Sequence, residues 1–340
     1  MTKQAVGNLD TVLKEANDLI TQGEWTQAIK LLDPLLDKYT EDPVLMNAIV
    51  RGYLLRGFCH SELSEMTLSQ KDYDKALEHS LTLKDKTLQA QSHARLANIL
   101  WKTAKRELAL KHIDQAKTIA DRTKDPFLEG LVGLERATIH MLSEKPEIIE
   151  KEYRSAILAL ERSGDLRELS RAYNNFATNF LYRADFVKAA ELFDKARKIA
   201  QRANYAPMVA WGSFNRGGCL SELGRFDEAL AELDVAVPIL HKTNDVFGLQ
   251  GAQEIYGIIY SKKKDWSKAE EHFLIARGLA QKCKMQFGEA KTLYNMGRMY
   301  KWRGDKARAM RFFKEAKEMF TKLEARSDAE IAEKEMKELG

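Results

Sequence analysis

Cysteine is scarce in this chain, which has three among its 340 residues: Cys59, Cys219 and Cys283. They are isolated and odd in number, and none forms a CxxC pair. Disulfide frameworks and zinc sites depend on paired or closely spaced cysteines, so we expect neither here. We interpret the three as buried or half-buried thiols, because free cysteine behaves as a small apolar residue.

Long apolar runs and a large charge excess are also lacking. No segment approaches the roughly 18 consecutive apolar residues of a membrane helix, and residues 1–10 lack the charged and then apolar pattern of a secretory signal. The 54 basic and 50 acidic residues give a net charge of only +4, whereas nucleic-acid binding usually needs a concentrated basic face. We therefore expect a cytoplasmic protein with neither a membrane nor a nucleic acid as its partner.

Catalytic and cofactor-binding motifs are missing as well. The chain contains no GxxxxGKS or GxxxxGKT phosphate loop, no GxGxxG turn and no GxSxG elbow. Its seven histidines form no HxxxH or HExxH pair that would bind a metal. The sequence thus predicts no cofactor, no metal and no enzymatic activity.

What the chain does have is a period of forty residues. One column of the repeat is alanine throughout: Ala116, Ala156, Ala196, Ala236, Ala276 and Ala316. Two more columns are mostly small: Ala97, Ala137, Ala177, Gly217, Gly257 and Gly297, and Ala109, Ile149, Ala189, Ala229, Ala269 and Ala309. A large apolar column holds Ile113, Tyr153, Phe193, Leu233, Phe273 and Phe313. A fixed period of this length indicates stacked helical repeats, which expose one long surface.

Each repeat divides into two helical halves with recognisable ends. Aspartate is a preferred N-cap, and three aspartates in one column each precede a first helix: Asp125, Asp165 and Asp245. Glycine tolerates the positive φ that ends a helix, and Gly224 and Gly304 mark the turn between the two halves.

The columns resemble those of the tetratricopeptide repeat (TPR) family. One repeat follows the family pattern closely: Gly217, Leu220, Gly224, Phe226, Ala229, Leu233 and Ala236. An aromatic residue precedes an alanine by three positions in other repeats, at Trp25, Tyr73, Phe186 and Trp266. The usual TPR period is 34 residues. The longer period here is similar to that of the subclass in Pins-type adaptors, kinesin light chain and Gram-positive peptide-pheromone sensors.

The resemblance implies an all-α fold, a right-handed TPR superhelix of about eight helix-turn-helix repeats with a C-terminal capping helix. We expect a single solenoid over residues 1–340, ending in a cap helix at 326–340. The expected repeats span about 9–43, 44–86, 87–125, 126–165, 166–205, 206–245, 246–285 and 286–325. The spacing is irregular between Ala28 and Ala109, and we predict an insertion around Ser61 to Lys71.

The resemblance also implies that the first helix of each repeat lines the concave, partner-binding side. One column on this face holds Arg95, Glu135, Asn175, Asn215, Ile255 and Asn295. A carboxamide both donates and accepts hydrogen bonds, and in the related adaptors and sensors such asparagines clamp an extended partner. The alternative is that each asparagine bonds to the neighbouring helix and orders the stack.

Aromatic and basic residues surround the asparagines, and these residue types dominate interface energetics. We predict a peptide-binding surface of Arg171, Asn174, Asn175, Tyr182, Trp211, Phe214, Asn215, Lys291, Tyr294, Asn295, Arg298, Lys301 and Trp302. For any single aromatic the alternative is packing between helices, and for any single lysine it is a solvated face. Because Lys291, Arg298 and Lys301 weight the charge towards the C-terminal end, we expect an acidic partner segment there.

An apolar patch is expected in the fourth repeat, at Leu131, Leu134, Met141 and Leu142. It would seat a hydrophobic anchor, or it would pack against another repeat or another copy of the chain.

These observations favour a non-catalytic adaptor or scaffold that binds an extended or helical, partly acidic protein segment in its concave groove. One alternative is a regulatory sensor, which would bind a short free peptide instead of a segment of a larger protein. Another is a structural scaffold that self-assembles into homo-oligomers, which light scattering against concentration would reveal.

Overall fold

The computed structural model of the chain describes residues 2–39, 42, 44–141 and 145–340, with the backbone alone at residues 2–8 and 39. The described residues form seventeen α-helices and no strand. The helices are α1 (Thr2–Gln22), α2 (Trp25–Tyr39), α3 (Met46–Glu62), α4 (Met66–Leu83), α5 (Lys86–Lys102), α6 (Arg106–Thr123), α7 (Pro126–His140), α8 (Pro146–Ser163), α9 (Leu166–Tyr182), α10 (Phe186–Arg202), α11 (Ala206–Glu222), α12 (Phe226–Lys242), α13 (Val246–Lys262), α14 (Trp266–Lys282), α15 (Gln286–Arg303), α16 (Lys306–Lys322) and α17 (Arg326–Leu339).

In chain order the helices form eight pairs, and α17 follows the last pair. From α3 onwards, each first helix begins forty residues after the one before it: Met46, Lys86, Pro126, Leu166, Ala206, Val246, Gln286 and finally Arg326 at the start of α17. The sequence prediction of an all-α helical repeat fold is therefore confirmed.

The alanine column that sets the period is buried at every position from Ala116 to Ala316. The glycines of the neighbouring column show how closely the helices approach each other. A Cβ atom added at Gly257 would lie 2.6 Å from the ring of Phe273, and one at Gly297 would lie 2.6 Å from the ring of Phe313. The small side chains are thus required by the packing of each helix pair.

The predicted helix ends are also confirmed. The carboxylates of Asp125, Asp165 and Asp245 each accept a hydrogen bond from a backbone amide two or three positions further on, at 2.8–2.9 Å. Gly224 has φ of 75° and Gly304 has φ of 89°, a conformation that glycine adopts without strain. These helices therefore begin, and these two turns lie, where the sequence indicated.

The predicted insertion around Ser61 to Lys71 was wrong. Helix α3 ends at Glu62 and α4 begins at Met66, so the connection between them is as short as in the other repeats. The error came from placing Ala76 in the column of Ala109, whereas Ala76 lies forty residues before Ala116. Ser69 takes the small position instead; it is fully buried, and its hydroxyl donates to the carbonyl of Gly57 at 2.7 Å.

The chain divides into two compact units. The N-terminal unit comprises Met1–Arg183 with Lys195–Val209, and the C-terminal unit comprises Ala184–Asp194 with Ala210–Gly340. Each unit contains several first helices, which form what we call its first-helix face. Within the described part of the chain, none of the helices combines the length and apolar character that crossing a bilayer requires.

Candidate functional site

The first-helix face of the C-terminal unit carries an exposed tryptophan between two cations. The Lys262 ammonium of α13 lies 4.1 Å from the ring centroid of Trp302, and the Arg298 guanidinium of α15 lies 4.9 Å from it. The Trp302 side chain is 39% exposed. Arg298 also donates to Asn295 Oδ1 at 3.4 Å. Neither Lys262 nor Arg298 forms an ion pair with any carboxylate that the structure describes, so both keep their charge available to a partner.

A buried carboxylate stands beside this cluster. Glu254 of α13 is 4% exposed and accepts hydrogen bonds from Asn295 of α15 and from Gln250. Lys291 Nζ lies 3.8 Å from Glu254 Oε1, while its own side chain is 59% exposed. Burial raises the pKa of Glu254, although Lys291 and the two amides oppose that rise. Asn295 therefore joins α15 to α13, which is the arrangement expected if it orders the stack.

Lys301 is engaged by the last helix of the chain. Its Nζ lies 2.7 Å from Glu335 Oε2 and 2.7 Å from Glu338 Oε2, both on α17. Tyr294 is also tied to this helix, because its hydroxyl donates to Glu335 at 3.4 Å, and its ring packs on Phe313 with centroids 5.6 Å apart. The cap helix thus neutralises one of the three cations that the sequence offered to an acidic partner.

An aromatic cluster lies at the start of the same unit. Trp211 packs edge-on against Phe214, with centroids 5.4 Å apart, and stacks on Phe247 at 6.0 Å. Phe247 is 63% exposed. Phe247 was not among the predicted site residues, although Phe287 follows it at the period of forty and is also exposed. Asn215, which is half-buried, lies on the same helix as Trp211.

In the N-terminal unit, Arg171 belongs to a buried ion-pair network. Glu135 is fully buried and lies 3.2 Å from both Arg95 and Arg171. Glu168 contacts the same two guanidinium groups, with Arg95 at 2.6 Å. Burial alone would raise the pKa of Glu168, but Arg171 and Arg95 outweigh it and hold that pKa well below its usual range. The charge of Arg171 is therefore balanced within the chain.

The remaining predicted residues lie on α9. Asn175 Nδ2 donates to Thr138 Oγ1 of α7 at 3.2 Å, and the side chain of Asn174 lies next to it, with its Nδ2 3.5 Å from Asn175 Oδ1. Tyr182, at the end of the helix, is 68% exposed. Like Asn295, Asn175 joins one first helix to the preceding one.

The apolar residues expected to form a patch in the fourth repeat do not form an exposed surface. Leu131 and Leu134 are buried, with exposed fractions of 1% and 0%, and Leu131 belongs to the core around α5, α6 and α7. Met141 is half-buried beside Tyr153, and Leu142 lies outside the described residues. These leucines pack between helices, which is one of the two alternatives that the sequence left open.

In the described part of the chain, no group of three or more His, Cys, Asp or Glu side chains stands close enough to hold a metal ion. Cys59 and Cys219 are buried and Cys283 is exposed. Burial raises the pKa of Cys59 and of Cys219 to about 12, so neither thiol ionises near neutral pH.

Comparison with known proteins supports the repeat assignment. Residues 168–242 and residues 290–324 each match a family model described as tetratricopeptide repeat. No curated protein matches the chain in sequence.

Several solved structures share the fold over nearly their whole length. A Rap protein complexed with Competence and Sporulation Factor is 17% identical, with a TM-score of 0.60 and 98% of each chain covered. The Rap conjugation gene regulator of plasmid pLS20, complexed with the Phr* peptide, is 12% identical, with a TM-score of 0.61 and coverage of 95% of this chain and 97% of that one. Aspartyl phosphate phosphatase F from Bacillus subtilis is 15% identical, with a TM-score of 0.54 and coverage of 97% and 93%. At these identities the likeness shows a common fold.

Proposed function

Because the chain contains tetratricopeptide repeats, we propose that it is a non-catalytic regulatory protein that binds a partly acidic peptide on the first-helix face of its C-terminal unit. The observation that carries the proposal is the exposed ring of Trp302 between the unpaired cations Lys262 and Arg298. TPR folds host many functions, so these side chains, and not the fold alone, specify the ligand in this proposal.

The charge of the cluster specifies an acidic segment. Lys262 and Arg298 lack a carboxylate partner among the described residues, and Lys291 reaches a single, buried one at 3.8 Å. An incoming Asp or Glu would bind the two unpaired cations without breaking an internal ion pair. Lys301 would first have to give up Glu335 and Glu338, so we assign Lys301 to holding α17 and not to the peptide.

The aromatic cluster supplies contacts for apolar side chains. Phe247 and Trp211 form a stacked pair of which Phe247 is mostly exposed, and aromatic side chains are the usual anchors of interfaces. Phe214 packs edge-on against Trp211 and lies close to Gly251, where an added Cβ would be 2.7 Å from its ring. We therefore expect the bound segment to alternate acidic and apolar residues.

The asparagines take a different part in this proposal from that expected of a clamp. Asn175 and Asn295 donate to the preceding first helix, which supports the alternative that they order the stack. Asn174 lies beside Asn175, and Arg171 is paired with Glu135 and Glu168, all within the N-terminal unit. Asn215 lies within the proposed site, on the same helix as Trp211, whereas Tyr182 belongs to the N-terminal unit and lies outside it.

A sensor of a short free peptide is the form of this function that the comparisons favour. The Rap conjugation gene regulator, which shares the fold, was solved with the Phr* peptide bound. An adaptor would require a longer segment of a partner protein, and a self-assembling scaffold would form homo-oligomers. Titration with free peptides of increasing length separates sensor from adaptor, because only an adaptor would require a long segment.

The test is a fluorescence-anisotropy titration with a short labelled peptide of alternating Glu and Leu whose C-terminus is amidated. The double variant Lys262→Gln, Arg298→Gln should bind it about fivefold more weakly, because two exposed ion pairs with the peptide, worth ~0.2–1 kcal/mol each, are lost. Affinity for the wild-type protein should fall with salt, since exposed charges are screened over about 8–10 Å.

The matched control is Lys263→Gln. Lys263 is the next residue along, but it is paired with Asp227 at 2.6 Å, so its loss should leave the affinity unchanged. A peptide of alternating Lys and Leu should not bind. Equal affinity of the double variant and the wild-type protein would refute the proposed site.

A further inference from the structure

A cleft of about 560 Å³ opens on the first-helix face of the N-terminal unit. Its walls come from five first helices, α1, α3, α5, α7 and α9. Ligand pockets typically measure 300–1,000 Å³, so this volume suits a small molecule or a few residues of peptide. It lies outside the residues to which the proposed function assigns peptide binding.

The floor of the cleft is apolar. Leu54, Leu55 and Phe58 of α3 line it and are only half-buried. Leu13 of α1 and Leu131 of α7 complete this surface and are buried. Covering these half-buried apolar groups with a ligand removes apolar surface from water, which favours binding.

Most of the charges that line the cleft are already balanced. Arg51 pairs with Asp10 at 3.1 Å, and both are about half exposed. Arg95 pairs with Glu135 and Glu168 in the buried network.

Arg167 differs from these residues. Its guanidinium donates to Asn17 Oδ1 at 2.9 Å and lies 5.8 Å from the ring centroid of Phe58. No described carboxylate lies within ion-pair distance of it; the adjacent Glu168 pairs with Arg95 and Arg171, and Arg167 only adds to the charges that lower the pKa of Glu168. Lys14, the other lining cation, is exposed and likewise has no ion pair in the described part of the chain.

We propose that this cleft binds a small amphipathic carboxylate, with the apolar body on Leu54, Leu55 and Phe58 and the carboxylate on Arg167. A guanidinium binds a carboxylate through two parallel hydrogen bonds, which fixes the orientation of the ligand. Asn17 and Phe58 already hold Arg167 in place, so little conformational freedom is lost on binding. A cationic ligand is disfavoured, because the unbalanced lining charges are both positive.

Two sources of ligand share this chemistry, a short apolar peptide with a free C-terminus and a medium-chain fatty acid. Isothermal titration calorimetry of the full chain with N-acetyl-dileucine and with octanoate distinguishes them. Tighter binding of N-acetyl-dileucine would indicate a peptide, and tighter binding of octanoate would indicate a fatty acid. The primary amide of each compound lacks the negative charge and should bind at least about tenfold more weakly. This difference measures the charge-assisted hydrogen bonds to Arg167.

Substitution of the guanidinium provides the second measurement. In Arg167→Gln the acid should lose its advantage over the amide, whereas Arg167→Lys should retain part of it. The control Arg162→Gln removes an exposed arginine that is paired with Glu129 outside the cleft, and it should bind like the wild-type protein. Thermal unfolding of each variant shows whether the fold is intact.

The outcome is independent of the proposed function. The double variant Lys262→Gln, Arg298→Gln should bind the small carboxylate normally, because its substitutions lie in the C-terminal unit. Equal binding of acid and amide by the wild-type protein, no saturable binding of either acid, or full retention of the acid preference in a folded Arg167→Gln would each overturn the inference.

Discussion

The bond between Asn295 and the buried Glu254 offers the sharpest test of what the asparagine column does. In Asn295→Ala, Glu254 Oε1 loses its donor while the carboxylate remains 4% exposed. A buried polar group left without a partner costs about 1–3 kcal/mol, and more when it is charged. Gln250 at 3.3 Å and Lys291 at 3.8 Å remain, so we expect the free energy of unfolding to fall by about 2 kcal/mol at pH 7.

The pH dependence of this loss identifies its cause. Burial already raises the pKa of Glu254 above its ordinary value of 4.5, and the bond from Asn295 opposes that rise. In the variant the folded-state pKa should therefore rise further. A carboxylate whose folded pKa is raised destabilises the protein above that pKa and stops doing so once it is protonated. The difference between variant and wild type should thus be largest at pH 7 and should shrink as the pH falls through the raised pKa.

The assay is urea unfolding at pH 7 and at acidic pH, with two further variants. Glu254→Gln combined with Asn295→Ala should recover much of the stability, because no charge remains buried. Gln281→Ala removes an exposed amide that donates to Glu289 at 2.6 Å, and it should change stability by less than about 0.5 kcal/mol. If Asn295→Ala unfolded like the wild type but bound the acidic peptide more weakly, the asparagine would be a clamp and the reasoning would be refuted.

The remaining predictions concern packing and protonation. Gly257→Ala should destabilise the protein by about 1–3 kcal/mol, because its Cβ would lie 2.6 Å from the ring of Phe273. Gly278→Ala, also inside a helix but with open space around it, should instead stabilise by about 0.5–1 kcal/mol; equal effects in urea unfolding would contradict the packing argument. Burial, and then the neighbouring His112, lower the pKa of His93 from 6.5 to about 4. The unfolded state therefore binds the proton more readily between those values, so stability should fall as pH drops from about 6.5 to 4. His93→Leu should flatten that slope in pH-dependent unfolding, and an unchanged slope would exclude His93 as its source.

Much of the fold could be predicted because the constraints are local and periodic. The column from Ala116 to Ala316 is buried as the spacing required, and Asp125, Asp165 and Asp245 cap the helices that follow them. The prediction failed in the second repeat, where the small position holds serine instead of alanine. Ser69 fills a small position as well as alanine does, because its hydroxyl bonds to a carbonyl, so a search for alanine assigned Ala76 to the wrong column.

The candidate site was harder to predict, because its contacts join distant residues. From the sequence, Lys301 was expected to bind an acidic partner. In the fold it pairs with Glu335 and Glu338 of α17, which lie more than thirty positions later in the chain. Arg167 reaches Asn17 across 150 positions, and no repeat spacing indicates that contact. Phe247 had a signal in the sequence, the period linking it to Phe287, but an exposed aromatic at a helix start cannot be told from a packed one by spacing.

Hydrogen–deuterium exchange of the full chain, with and without the amidated Glu/Leu peptide, locates the peptide site directly. Binding at the Trp302 cluster should slow exchange at the ends of α13 and α15, around Lys262 and Trp302, and should leave the N-terminal unit unchanged. Protection confined to the N-terminal unit, or none at either helix end under saturating peptide, would contradict it.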